Sequence, residues 1–298
     1  MAPIPFVKMH GLGNDFVVVD NRKDEHEVPM NRISLLADRK TGIGFDQFIV
    51  LKRSDRADVF MQIVNADSSE VDACGNATRC VAWLVGEQKQ VPHVTIETKA
   101  GILTADITGT QRVRVNMGKP VFDWAKIPLS KQANTDAMPL DYNGLSLPVA
   151  VNVGNPHAVF FTEEGAHPPL SEMGPAVEKH ELFPERINVS VATIQGENDI
   201  LLNVWERGAG LTQACGTAAC ATLVAAVKKG LISAGGADDA PVPDSENVHR
   251  IDSKLEGDNL PWANIHLPGG RLRIEWDVDQ CGSVFMSGDV ATSFFGAF

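Results

Sequence analysis

Long hydrophobic runs are missing from this sequence. No stretch approaches the ~18 apolar residues of a membrane-spanning helix, so no membrane span is expected. The opening residues, MAPIPFVKMHGLGND, lack the apolar core of about 7–15 residues that a secretory signal needs. Basic runs are missing as well. Lys and Arg number 26 against 38 Asp and Glu, and the net charge of −12 repels nucleic acid and anionic membranes. Neither is expected as a partner, and an acidic substrate has to be captured by local groups. Cysteine is scarce and odd in number: Cys74, Cys80, Cys215, Cys220 and Cys281. None of the spacings is C-x-x-C, which argues against zinc-ribbon and thioredoxin-type sites, and no metal is expected. The odd count without a secretory leader points to a reducing cytoplasm rather than a disulfide scaffold. No lysine stands in a phosphate-binding setting suited to a pyridoxal Schiff base, so no cofactor is expected.

What is present describes a globular chain. Hydrophobic residues make up 44% and charged residues 21% of 298, enough for a sizeable core and two domains. Short β-branched runs bounded by Gly, Pro, Asn or Asp predict strands at 16–20, 48–51, 59–64, 94–98, 102–107, 112–117, 158–161 and 271–276. Helices are predicted near 31–39, 76–88, 171–180 and 217–229, the last punctuated by Gly230. This mixture predicts an α+β fold with largely antiparallel sheets. The Gly-, Ala-, Asp- and Pro-rich segment 233–250 reads as a surface insertion.

The chain also repeats itself. Gly13-Asn14-Asp15-Phe16 recurs as Gly154-Asn155-Pro156-His157, and Cys74-Gly75 recurs as Cys215-Gly216, both at an offset of 141. Farther on the offset grows to about 170, where Val115-Asn116-Met117-Gly118 meets Phe285-Met286-Ser287-Gly288. Two pseudo-symmetric domains are expected, 1–118 and 119–285, each a largely antiparallel sheet wrapped around a central helix. Residues 286–298 are expected to join the first.

Each Cys-Gly pair opens an alanine-rich helical stretch. A cysteine at a helix start faces the positive end of the macrodipole, which favours thiolate and can bring its pKa to about 3.5–7.5. The free backbone N–H groups of the same turn form a cradle for a carboxylate, and the glycine allows its close approach. Two such helix starts, opposed around one α-carbon, supply a base on one face and an acid on the other. That is what inversion at a stereocentre requires. The fields of the two helix ends would stabilise the developing carbanion without a cofactor. Cys80, Cys220 and Cys281 are expected to be inert; the first two lie inside the helices.

Four stretches now resemble a known family. They are Lys8 to Phe16 (KMHGLGNDF), Asn65-Ala66-Asp67 through Cys74-Gly75-Asn76, Gly154 to His157, and Glu206-Arg207-Gly208-Ala209-Gly210 through Ala214-Cys215-Gly216-Thr217. In order and spacing they resemble the diaminopimelate epimerases. The resemblance implies cofactor-independent interconversion of LL- and meso-2,6-diaminopimelate, in lysine and peptidoglycan precursor synthesis, by a cytoplasmic homodimer. It implies that Cys74 and Cys215 are the acid/base pair. It implies that Gly75, Asn76, Gly216 and Thr217 bind the reacting carboxylate, and that Asn14, Gln47, Asn65, Asn155, Asn188, Glu206 and Arg207 bind the rest of the substrate. His157 and Glu206 are implied to tune the thiols. Ser68 stands where that family usually has glycine, and Phe294 where some members have tyrosine. Two other readings remain open: a proline or hydroxyproline racemase of the same fold, whose first Cys-Gly usually precedes histidine rather than Asn76, and a thiol-dependent hydrolase or redox protein.

Overall fold

A computed structural model describes residues 3–163, 169–233, 260–279 and 282–298. Cys281 and nearly all of the expected insertion at 233–250 lie outside the described residues. The chain divides into two compact units, Met1–Asn116 with Ser287–Phe298, and Met117–Met286.

The first unit contains β1 (Pro5–Gly11), β2 (Asn14–Asp20), a 3-10 turn at Met30–Arg32, α1 (Ile33–Ala37) and β3 (Gln47–Lys52). There follow β4 (Val59–Asn65), β5 (Glu70–Val71), α2 (Gly75–Lys89), β6 (His93–Thr98), β7 (Gly101–Gly109) and β8 (Arg112–Asn116). The C-terminal strand Ala291–Ala297 pairs antiparallel with β1. Most neighbours are antiparallel, but β2 runs parallel to β3 and β4 parallel to β6. Parallel neighbours need a crossover. The β4–β6 crossover is α2, which packs against β1, β6, β7 and β8. It is buried from Asn76 to Ala82 on every face. A helix without a polar side needs close neighbours all round, and its alanines admit them. Arg79, fully buried in α2, is accommodated by Gly11: a Cβ there would lie 3.0 Å from its Nη2. A second core layer lies under α1, where Phe45, Phe48, Val17, Val19 and Ile33 pack together.

The second unit begins with a hairpin, β9 (Asp141–Tyr142) and β10 (Leu145–Ser146), and continues with β11 (Val149–Asn152), β12 (Pro156–Thr162), α3 (Leu170–Glu178) and β13 (Asn188–Ile194). Next come β14 (Asp199–Glu206), β15 (Gly210–Leu211), α4 (Gly216–Lys228), β16 (Trp262–Leu267) and β17 (Gly270–Trp276), and β18 (Val284–Asp289) starts here. Its topology repeats that of the first: β12 is parallel to β13, β14 is parallel to β16, and α4 is the crossover between them. The register repeats too. Phe16 faces Gln47 and Gln47 faces Asn65, while 141 residues on His157 faces Asn188. Glu206, 141 residues after Asn65, ends β14 as Asn65 ends β4.

The α+β expectation holds: the described residues form four α-helices and many short strands. The first predicted helix proves shorter than 31–39, because Asp38 leaves helical geometry at ψ 123 and its carboxylate caps the amides of Lys40 and Thr41. Several strands escaped the sequence pattern. β1, with Lys8 and His10 among its apolar residues, and β13, apolar on both faces except for polar Asn188, Ser190 and Thr193, are recognisable only through their partners.

Candidate active site

In the first unit the site residues converge on the start of α2. Cys74 precedes the helix in extended geometry, and its carbonyl accepts both the backbone N–H of Thr78, at 2.9 Å, and the Thr78 hydroxyl, at 2.8 Å. Asn14, from the start of β2, places its Oδ1 3.9 Å from the Cys74 sulfur and 3.2 Å from Asn76 Nδ2. The opposite edge of the same amide is held by Asp46, whose Oδ2 accepts from Asn14 Nδ2 at 2.9 Å. Asp46 is in turn bound by Arg39, which also grips Asp15. Gln47 and Asn65 face each other across β3 and β4, and Gln47 Nε2 donates to Asn65 Oδ1 at 3.0 Å. Gln47 Oε1 and Asn76 Oδ1 are buried acceptors without a partner among the described residues. Ser68, in the turn after Asn65, holds φ at +71, the left-handed region in which glycine is at ease.

The second unit gathers Asn155, His157, Asn188, Glu206, Arg207, Cys215 and Thr217. His157 is fully buried, and its Nε2 lies 2.8 Å from Asn155 Oδ1. Burial, and next the Arg207 charge, push its pKa down to about 3, so the imidazole is neutral. Asn155 Oδ1 can only accept, so Nε2 carries the proton and Nδ1 is left as a buried acceptor with no partner among the described residues. Asn188 donates from Nδ2 to Pro156 O at 2.8 Å and accepts the Arg207 backbone N–H at 2.9 Å. The Arg207 guanidinium donates to Glu185 O at 3.1 Å.

Cys215 behaves differently from the thiol expected at a helix start. Burial first, and then the neighbouring Glu206 carboxylate, push its pKa well above the ordinary range; the Thr217 hydroxyl, 3.4 Å from the sulfur, and the Ala218 N–H pull less strongly the other way. The macrodipole is outweighed because a buried anion next to a second carboxylate is worse off than a thiol hydrogen-bonded to it. Cys215 is therefore a thiol. Burial also raises Glu206, opposed by hydrogen bonds from Thr212, at 2.5 Å, and from Cys215. Cys80, fully buried in α2, is pushed up to about 12 by the same desolvation, as suits an inert core thiol.

The raised Glu206 makes a prediction with a definite sign. The native state holds this proton more tightly than the unfolded chain, so the stability it confers is present below pH 4.5 and is eroded as pH rises through the folded value. Glu206→Gln is expected to melt a few degrees higher than the parent at pH 7.5. The gap should close below pH 4.5, while turnover falls roughly tenfold or more. Melting curves across that range check it, and a lower Tm for the variant at neutral pH would contradict the assignment.

Three neighbours were not visible in the sequence: Asp46, Thr212 and Glu178. Thr212 sits three residues before Cys215 and could have been noticed for its hydroxyl. Glu178, at the last turn of α3, carries no signal, since a carboxylate there faces the negative end of the helix.

A sequence-family model described as diaminopimelate epimerase matches residues 6–123 and 149–245. The diaminopimelate epimerase of Erythrobacter litoralis is 46% identical over 297 residues, covering 99% of this chain and 97% of its own. That of Sphingopyxis alaskensis is 47% identical over 291 residues, covering 98% and 96%. Among solved structures, a PhzF-family phenazine biosynthesis protein from Bacillus anthracis has a TM-score of 0.65 at 15% identity, covering 100% of this chain and 99% of that one. A hydroxyproline epimerase from Agrobacterium vitis has a TM-score of 0.61 at 14% identity, covering 100% and 91%. Likeness at such identities shows the fold alone.

Proposed function

The chain belongs to the diaminopimelate epimerase family, and on that premise we propose that it interconverts LL- and meso-2,6-diaminopimelate by proton transfer between two sulfur atoms. The observation that carries this is the duplicated helix start, Cys74-Gly75 and Cys215-Gly216, with a different set of neighbours at each sulfur. Cys215 rests as a thiol, so in this direction it is the acid and the role of base is given to Cys74. Cys74 takes the α-proton from one face of the substrate carbon, and Cys215 delivers its own proton to the other. The product leaves with Cys74 protonated and Cys215 as thiolate, and in the reverse direction the roles exchange. The two protons and two sulfurs form one coupled system rather than two independent titrations.

The remaining residues suit a zwitterion at both ends. The reading gives the reacting carboxylate, and the enolate that forms from it, to the backbone N–H groups at Gly75 and Asn76 and at Gly216 and Thr217, which stand in the first turns of α2 and α4. The unpartnered acceptors Gln47 Oε1 and Asn76 Oδ1 suit ammonium N–H donors. Arg207 offers its guanidinium to the distal carboxylate, with Asn14, Asn65, Asn155 and Asn188 supplying the polar wall. Glu206 raises the proton affinity of Cys215, and the same reading makes His157 a second group that tunes the thiols. The fold is shared with a hydroxyproline epimerase and so does not choose the substrate; the relatives that are 46% and 47% identical favour diaminopimelate. A cytoplasmic homodimer belongs to the same proposal. The exposed rings of Phe294 and Phe295 on the C-terminal strand support a contact with a second copy. No helix among the described residues is long and apolar enough to cross a membrane. The division into domains, 1–118 with 286–298 and 119–285, is proposed to match the two lobes that donate the sulfurs.

The test is turnover of LL-diaminopimelate in deuterium oxide. Early in the reaction, deuterium is expected almost entirely in the meso product, because the incoming proton comes from the solvent-equilibrated sulfur opposite the one that removed hydrogen. Equal early labelling of recovered LL substrate and meso product would rule out two separate acid/base groups.

A further inference from the structure

The Glu206–Arg207 pair stands on a turn that is also held by a side chain from another element. Ala209 N–H donates to Glu206 O at 3.1 Å, and Gly208 takes φ +78, so residues 206–209 form a tight turn with glycine at its left-handed corner. Both flanks of that turn end on one side chain from a different element. Glu178 Oε1 accepts the Gly208 backbone N–H at 3.0 Å, and Glu178 Oε2 accepts the Trp205 indole N–H at 2.7 Å. The Glu178 side chain is only 4% exposed, and Arg186 lies 3.6 Å from its Oε1. The indole is also fixed from behind. Gly174, one turn earlier on α3, has no room for a Cβ, which would fall 2.4 Å from the Trp205 ring. α3 thus grips the residue before the pair by stacking and hydrogen bond, and the residue after it by a backbone amide.

We propose that Glu178 is a positioning residue: its buried carboxylate bridges Trp205 and the Gly208 amide, and so fixes where Arg207 projects. The proposal rests on the reading above for what the Arg207 side chain does. A carboxylate is needed because both donors must be accepted at once, one by each oxygen. A carboxamide offers one acceptor oxygen and turns its NH2 toward a donor, leaving the second bond unmade. The loosened turn displaces Arg207, which grips substrate and transition state alike. Its misplacement is therefore expected in KM more than in kcat.

The test is Glu178→Gln in the full chain, alone and in an Arg207→Met background, with kinetics on diaminopimelate, thermal melting, and hydrogen exchange of the 205–211 segment. Alone, KM is expected to rise about tenfold and kcat to fall less than about threefold, with faster exchange at the Gly208 amide. In the Arg207→Met background the same change should alter kcat/KM less than about twofold, because the group being positioned is gone. A lower Tm with KM and exchange unchanged would reduce Glu178 to a stabilising residue and overturn the proposal, as would an undiminished effect in the Arg207→Met background. A parent protein inactive on diaminopimelate would overturn the proposed function; exchange at Gly208 would then still decide the clamp, supporting it if accelerated by Glu178→Gln and refuting it if not.

Discussion

Cys215→Ala is expected to lower epimerisation by about a thousandfold or more while leaving a folded protein, since general acid/base groups contribute about 10²–10⁴ each and inversion needs both. The side chain is small and buried, so its loss should cost only about 1 kcal/mol of stability. The variant also separates the two halves of the mechanism. On the proposed two-sulfur mechanism, loss of Cys215 removes the acid, and inversion stops even if proton abstraction continues. Cys74→Ala should be equally silent, and the double variant little worse than either single one, because residues that act as a unit are not additive. Retention of more than a tenth of parental turnover by either single variant would remove that cysteine from the mechanism.

Arg207→Met is expected to lower kcat/KM for diaminopimelate roughly a hundredfold or more, because the charge-assisted, two-pronged contact proposed for the distal carboxylate is lost. Methionine keeps the aliphatic stem, and the Arg207 backbone N–H can still reach Asn188 Oδ1, so the turn survives. What disappears is the fork that a carboxylate matches. Arg207→Lys should recover only part of the loss, since an ammonium supplies charge without the paired donors. A second readout accompanies it. Arg207 is one cause of the depressed His157 pKa, so His157 should titrate at higher pH in the methionine variant. A kcat/KM within threefold of the parent would reassign the carboxylate contact to another residue.

The two lobes were legible in the sequence because duplication leaves a fixed offset wherever no insertion intervenes. The pairs Asn14 and Asn155, Gln47 and Asn188, Asn65 and Glu206, and Cys74 and Cys215 all lie 141 residues apart. In the first unit they start β2, start β3, end β4 and cap α2; in the second they precede β12, start β13, end β14 and cap α4. The helix starts were legible because Cys-Gly before an alanine-rich run is a local signal. What the offset conceals is divergence at matched positions. Phe16 matches the buried His157, and amide Asn65 matches Glu206, the carboxylate beside Cys215, so matched positions are chemically unlike although the backbone repeats.

Residue order alone determined the twin α+β units, the two cysteine-led helices and the family, because all three are written in short contiguous motifs and their spacing. Tertiary structure decided that Cys215 keeps its proton and which side chains hold the others in place. Cys215 is protonated because folding buries it beside Glu206, and Glu178 meets Trp205 and Gly208 only because α3 is brought against β14. Desolvation and hydrogen-bond geometry depend on neighbours far away in the chain, and no local pattern records them.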